Sequence, residues 1–225
     1  DYYRSKNFIT KAILSCPENV KWKCFVLGAR MELKDQCHTK ARKIINKFIE
    51  NANEKQKYHL LIESSKISEY LGDLNSAIAY FEDTKDYMRA EWKVYLEYIH
   101  MLTRNNKFEQ AYQVAKESLY HHNLAGRLWA SLIQLKHISG FQSPGTDAYK
   151  IFLIAINEVP KSGEVWCEGA RICLNPHSDR FDINKAKQFL NFAIYFTPQY
   201  GDSFVEAIRL YLLLGDKKEL ANLKK

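Results

Sequence analysis

Apolar residues along the chain recur at spacings of three and four. In EWKVYLEYIHML, the residues Trp92, Tyr95, Leu96, Ile99 and Leu102 fall on one side of a helix. In FEQAYQVAKESL, Phe108, Ala111, Val114, Ala115 and Leu119 do the same. Long alternating Val/Ile/Thr runs, the mark of half-buried strands, are absent. The pattern predicts helices throughout, parted by short polar breaks at 70–75 (YLGDLN), 103–107 (TRNNK), 139–147 (SGFQSPGTD) and 174–182 (LNPHSDRFD). Gly72-Asp73 reads as a helix C-cap followed by a turn.

The predicted helices repeat. Trp22, Tyr58, Trp92, Trp129, Trp166 and Phe204 form an aromatic series with steps of 34 to 38 residues. Ala41, Ala77, Ala111, Ala148 and Ala186 each follow an aromatic by 19 or 20 residues. A small residue at a fixed place in a repeat lets two helix backbones approach closely. Two markers in register over five units define a helix pair, the aromatic on its first helix and the alanine on its second. These residues are expected to be packing positions of a core.

The joint between units is written in VPKSGEVW at 159–166, CPENVKW at 16–22 and TPQYGDSF at 197–204. Proline lacks an N–H and ends the preceding helix. Ser162 or Asn19 is then placed to cap the next one, and the aromatic enters its first turns. The units run approximately 19–54, 55–87, 88–123, 124–160 and 161–198, with a partial unit at 199–225. Residues 3–15 read as the second helix of an incomplete unit. The expected fold is a single all-α domain over 1–225. It is a right-handed α-solenoid of stacked antiparallel helix pairs, about five full repeats with partial ones at the ends, cut from a longer array.

At these residues the chain resembles the tetratricopeptide-repeat superfamily, and in particular its HAT (half-a-TPR) branch. ISEYLGDLNSAIAYFE at 67–82 is similar to a tetratricopeptide turn and second helix. AILSCPENVKW and AINEVPKSGEVW look like HAT junctions, and Ala41-Arg42-Lys43-Ile44 matches the start of a HAT second helix. The resemblance implies a non-catalytic protein-interaction scaffold. HAT arrays occur mainly in splicing particles, 3′-end cleavage complexes and ribosome-assembly particles, binding protein and sometimes RNA. General tetratricopeptide arrays serve as chaperone, ciliary and trafficking adaptors.

Charge adds one functional hint. The formal net charge is +7. All of it lies in residues 1–57, with 13 Lys/Arg against 6 Asp/Glu, while 58–225 is balanced. In QCHTKARKIINKFIE, Ala41, Ile44, Ile45 and Phe48 form the apolar stripe. Lys40, Lys43 and Lys47 share another face, and Lys21, Lys23 and Arg30 come from the paired helix. Such a cluster could hold RNA phosphates or an acidic partner. A lysine-rich solvated surface gives the same pattern. Trp22, Phe25 and Phe48 belong to core positions, so the sequence offers no stacking platform for bases.

The remaining chemistry is sparse. Five cysteines, at 16, 24, 37, 167 and 173, form no Cys-x-x-Cys and read as reduced, packed thiols of a nuclear or cytoplasmic protein. Cys37-His38 lacks partners at metal-site spacing, and His121-His122 suits a negative helix terminus. Glu82, Asp83 and Asp86 read as a solvated face. The glycines are isolated, and no His-Glu-x-x-His pair occurs. No apolar run reaches the roughly 18 residues of a membrane span. The sequence therefore points to no catalytic residue, metal or cofactor. Its expected partners are proteins, held as a peptide along the groove of first helices or docked on an outer face. RNA contact and homodimerisation are left open.

Overall fold

Thirteen α-helices and no strand make up the described residues of the computed structural model, which are 1–50, 52–139 and 146–223. This is the all-α arrangement of helix pairs that the periodicity predicts. The polar break placed at 139–147 falls largely outside the described residues. Cα packing divides the chain into two compact units, 1–101 and 102–225.

The first unit holds α1 (Tyr2–Ser15), α2 (Glu18–Lys34), α3 (His38–Ile49), α4 (Glu54–Tyr70), α5 (Leu74–Tyr87) and most of α6 (Trp92–Arg104). Helix α2 packs on α1, α3 and α4, and α4 packs on α5. Val26, Ala29, Ala41, Ile45, Leu60 and Ile67 form one core cluster, with Trp22, Ile44 and Phe48 against it. Ala41 and Ala77 are entirely buried. Ser65 Oγ donates to the Ala77 carbonyl at 2.8 Å, tying α4 to α5 at their close approach. Helix α1 contributes no buried residue. Its Tyr2 hydroxyl donates to Glu32 Oε1 of α2 at 2.8 Å.

The second unit holds α7 (Phe108–His121), α8 (Gly126–Ser139), α9 (Thr146–Glu158), α10 (Gly163–Leu174), α11 (Ile183–Phe196), α12 (Gly201–Leu214) and α13 (Lys217–Asn222). One core cluster joins Cys167 and Ala170 of α10, Leu190 and Ala193 of α11, and Ala207, Leu210 and Tyr211 of α12. Ala111, Ala148 and Ala186 are 0% exposed, so all five marker alanines are wholly enclosed. The aromatic markers are less so: Trp129 is buried, while Trp22, Tyr58, Trp92, Trp166 and Phe204 are half-buried.

First helices bury more than the one stripe their sequences suggest. In α6, Val94, Tyr98 and Met101 are buried beside Tyr95, Ile99 and Leu102. In α10, Val165, Cys167, Ala170 and Ile172 are all buried, because α10 packs on α8 and α9 as well as on α11 and α12. Glycine serves this crowding at Gly169, where an added Cβ would lie 2.4 Å from the Phe152 ring.

The joints follow the expected plan with one correction. Ser162 caps α10, its hydroxyl accepting from the Val165 N–H at 3.4 Å. Asn19 does not cap α2. That helix starts at Glu18, with Pro17 in the N-cap position and no side-chain cap, so Asn19 lies inside the first turn. Proline's fixed φ suits that place, since a helix entrance leaves its first N–H groups unbonded in any case. A second departure concerns Glu82. Its carboxylate is half-buried and accepts from the Tyr98 hydroxyl at 2.7 Å and from Lys85 at 2.9 Å. It is therefore a bonded group where a solvated face was expected.

Candidate functional site

In the second unit α10 lies between α8 and α12, and the face these first helices leave open forms a cleft of about 530 Å³. The repeat dictates this: each first helix gives two faces to its neighbours and has one left. His137 and Ile138 come from α8, Glu168 and Arg171 from α10, and Arg209 and Leu213 from α12.

Arg171 organises the floor. Its Nε donates to Glu206 Oε1 at 2.9 Å and its Nη2 to Asp202 Oδ2 at 3.3 Å. Its Nη1 donates to Glu168, one turn earlier on the same helix. Glu168 is only 3% exposed. Burial pushes its carboxyl up to about 7, against the pull of Arg171. Burial alone would lower the Arg171 guanidinium, but the facing carboxylates outweigh it and hold the charge firmly in place. Burial lowers the His137 imidazole from its ordinary value. Its Nε2 accepts from the Asn175 amide at 3.0 Å. The floor thus carries two hydrogen-bonded groups, the ion cluster around Arg171 and the His137–Asn175 pair. The rim is apolar and charged, with Ile138, Leu213 and Arg209 exposed.

The network has counterparts along the chain. Arg30 of α2 meets Glu63 of α4 at 2.7 Å, and Lys66 of α4 meets Glu97 of α6 at 2.9 Å. Arg127 of α8 meets Glu164 of α10 at 3.5 Å. Each time the cation sits on one first helix and the carboxylate 31 to 37 residues on. That spacing is one repeat. It is the sequence signal that marks these pairs, and no catalytic motif contains it.

The six basic residues singled out in the sequence separate into groups. Lys40, Lys43 and Lys47 are exposed on α3, opposite the buried Ala41 and Ile45. Lys23 is exposed, with its Nζ 5.6 Å from the Trp22 ring centroid. Lys21 bonds to Glu18, and Arg30 is turned to Glu63 on α4. Phe25 and Phe48 pack against each other with tilted rings at 4.2 Å, and Trp22 stacks on His59 at 4.5 Å.

Among the described residues no group of three or more His, Cys, Asp or Glu is placed to hold a metal ion. Among those residues, too, no helix is long and apolar enough to cross a membrane. What the cleft offers is shape, an apolar rim and fixed charge.

Comparison with known proteins agrees with this architecture. A TPR-containing protein of Dictyostelium discoideum is 50% identical over 125 residues, or 56% of this chain, and the match spans only 9% of that relative's own length. Among solved structures, the C-terminal part of a TPR repeat-containing protein from Cytophaga hutchinsonii aligns with a TM-score of 0.57 at 15% identity. That alignment covers 99% of this chain and 87% of the other. Pseudomonas aeruginosa pilF aligns with a TM-score of 0.55 at 14% identity, covering 90% and 88%. At such identities these two speak for the fold alone. The model of the family described as "PRP6, TPR-like domain" matches residues 2–225. With helix pairs in the expected register and that match over nearly the whole length, the chain belongs to the PRP6 TPR-like domain family.

Proposed function

We propose that this chain is a non-catalytic protein-interaction scaffold within a nuclear RNA-processing assembly of the splicing type. The observation that carries the reading is the PRP6 TPR-like family match over residues 2–225. The cleft along α8, α10 and α12 supplies the means: a partner segment lays apolar side chains against Ile138 and Leu213 while its backbone meets the charged floor. The test is affinity purification of the whole protein from its native cells, with and without nuclease. Recovery of RNA-processing subunits that resists nuclease supports the reading. Recovery of a ciliary, trafficking or chaperone complex instead overturns the process while leaving a scaffold.

A second reading, direct RNA contact, is favoured by the three lysines on the exposed face of α3. Its test is salt-dependent binding to single-stranded RNA, measured with and without changing Lys40, Lys43 and Lys47 to Glu. Undiminished binding by the triple variant overturns it.

A further inference from the structure

We propose that Cys16 and Cys24 are a redox-controlled latch, forming a disulfide that fastens α1 to α2. Both are free thiols, and their Sγ atoms lie 3.8 Å apart across the α1–α2 corner. A disulfide needs about 2.05 Å between the sulfurs, so roughly 2 Å of closure makes the bond, within reach of side-chain rotation. The corner supports the approach. Cys16 is the extended C-cap of α1, with φ −82° and ψ 149°, and Pro17 fixes the turn into α2. Both side chains are half-buried, so a small oxidant reaches them without unfolding the unit. The other thiols are placed differently. Cys37 faces Asp35 Oδ2 at 4.0 Å, while Cys167 and Cys173 are buried in the second unit.

The latch spans the packing of α1 on α2. Helix α1 buries no residue and exposes Tyr3, Phe8 and Leu14. The Tyr2–Glu32 hydrogen bond secures one end of it, and the sulfur pair lies at the other. Helices with little buried area open locally at low cost. Burial, then the neighbouring Cys16, raises the Cys24 thiol above its ordinary range.

The chemistry balances with a low-molecular-weight disulfide such as oxidised glutathione. One cysteine thiolate attacks a glutathione sulfur, breaks its S–S bond and releases a glutathione thiolate. The second cysteine thiolate attacks the mixed disulfide at the protein sulfur and expels the second glutathione. Two thiol protons leave the protein, its two sulfurs are oxidised, and the small disulfide is reduced to two thiols.

The test treats the folded 225-residue chain with oxidised glutathione and maps it by mass spectrometry without reduction. The expected product is a monomer lighter by two hydrogens, with Cys16 linked to Cys24. The link is lost in Cys16→Ser and in Cys24→Ser and kept in Cys37→Ser. Trypsin cleavage within α1, at Lys6 and Lys11, slows by roughly tenfold in the oxidised parent and in neither of the first two variants. A stable glutathione adduct on either cysteine, disulfide-linked dimers, or both thiols remaining open to alkylation each overturns the proposal. So does a link that forms but leaves α1 cleavage unchanged.

Discussion

The indole N–H of Trp166 donates to the carbonyl of Pro160 at 2.8 Å, across the joint that delivers the chain from α9 into α10. Trp129 does the same to Asn123 at 2.7 Å, also six residues back. The tryptophan is thus a packing residue and a clasp on the joint. Trp166→Phe keeps an aromatic ring beside Phe152, Phe189 and Phe192 but loses the donor together with part of the indole's packing volume. It should lower unfolding free energy by about 1 kcal/mol in denaturant titration. An unchanged midpoint would show that ring packing alone matters there.

Gly169→Ala sets two effects against each other. Alanine favours a helix interior by about 1 kcal/mol over glycine. Its Cβ would sit 2.4 Å from Phe152, whose ring is wholly buried and hemmed by Trp166, Tyr149 and Phe189. Overpacking of this kind costs about 1–3 kcal/mol, so the net change should be destabilising. Phe152→Leu in the same chain should recover part of the loss, which a double-mutant cycle measures as coupling.

Glu168 gives stability a pH dependence of known sign. Its folded carboxyl titrates near 7 against an ordinary value of 4.5. Between those values the unfolded chain releases a proton that the folded chain keeps, so rising pH favours unfolding. Above the window both forms are ionised and the deficit is constant, on the order of a few kcal/mol. The groups facing it are Arg171, Asp202 and Glu206, with Cys167 held neutral by burial. Glu168→Gln should gain on the parent from about pH 4.5 to 7 and hold its advantage at pH 8. Parallel stability profiles for the two proteins would refute this.

Arg30 and the lysines of α3 should behave differently when altered. Glu63 is 7% exposed, so Arg30→Ala strands its carboxylate. With Arg30 itself half-exposed, solvent takes part of the loss, and about 1 kcal/mol of stability should go. Lys40→Glu and Lys43→Glu sit on the exposed face and should shift the thermal midpoint by no more than the equivalent of about 0.5 kcal/mol. Thermal melts of the three variants separate the structural cation from the surface ones.

The cleft rim offers the binding test. Leu213 is 79% exposed and Arg209 is 73% exposed at its side chain, so changing them should leave the fold stable. If a partner segment seats there, Leu213→Asp should weaken its binding by about tenfold or more in calorimetry. Equal affinity of parent and variant would move the docking surface elsewhere.

The repeat was legible because it is a one-dimensional property. A helix pair needs a small residue where two backbones meet, and Ala41, Ala77, Ala111, Ala148 and Ala186 announced those places in spacing alone. Prolines and Ser162 marked joints for reasons local to the backbone. Asn19 was misread because proline and a capping side chain both suit a helix entrance, and the choice between them depends on how the chain leaves the corner. Glu82 was misread because its partner Tyr98 lies on the next helix.

The sequence by itself determined the helix pairs, their register and the enclosed alanines, since period and residue size act within a unit and against its immediate neighbours. Only the tertiary structure decided which charges face one another. Arg171 finds Asp202 and Glu206 on α12, Arg30 turns from the lysines to Glu63, and Cys16 meets Cys24 across a corner. Those pairings depend on side-chain direction and on burial between helices. Periodicity gives the face a residue occupies but not the partner it meets there.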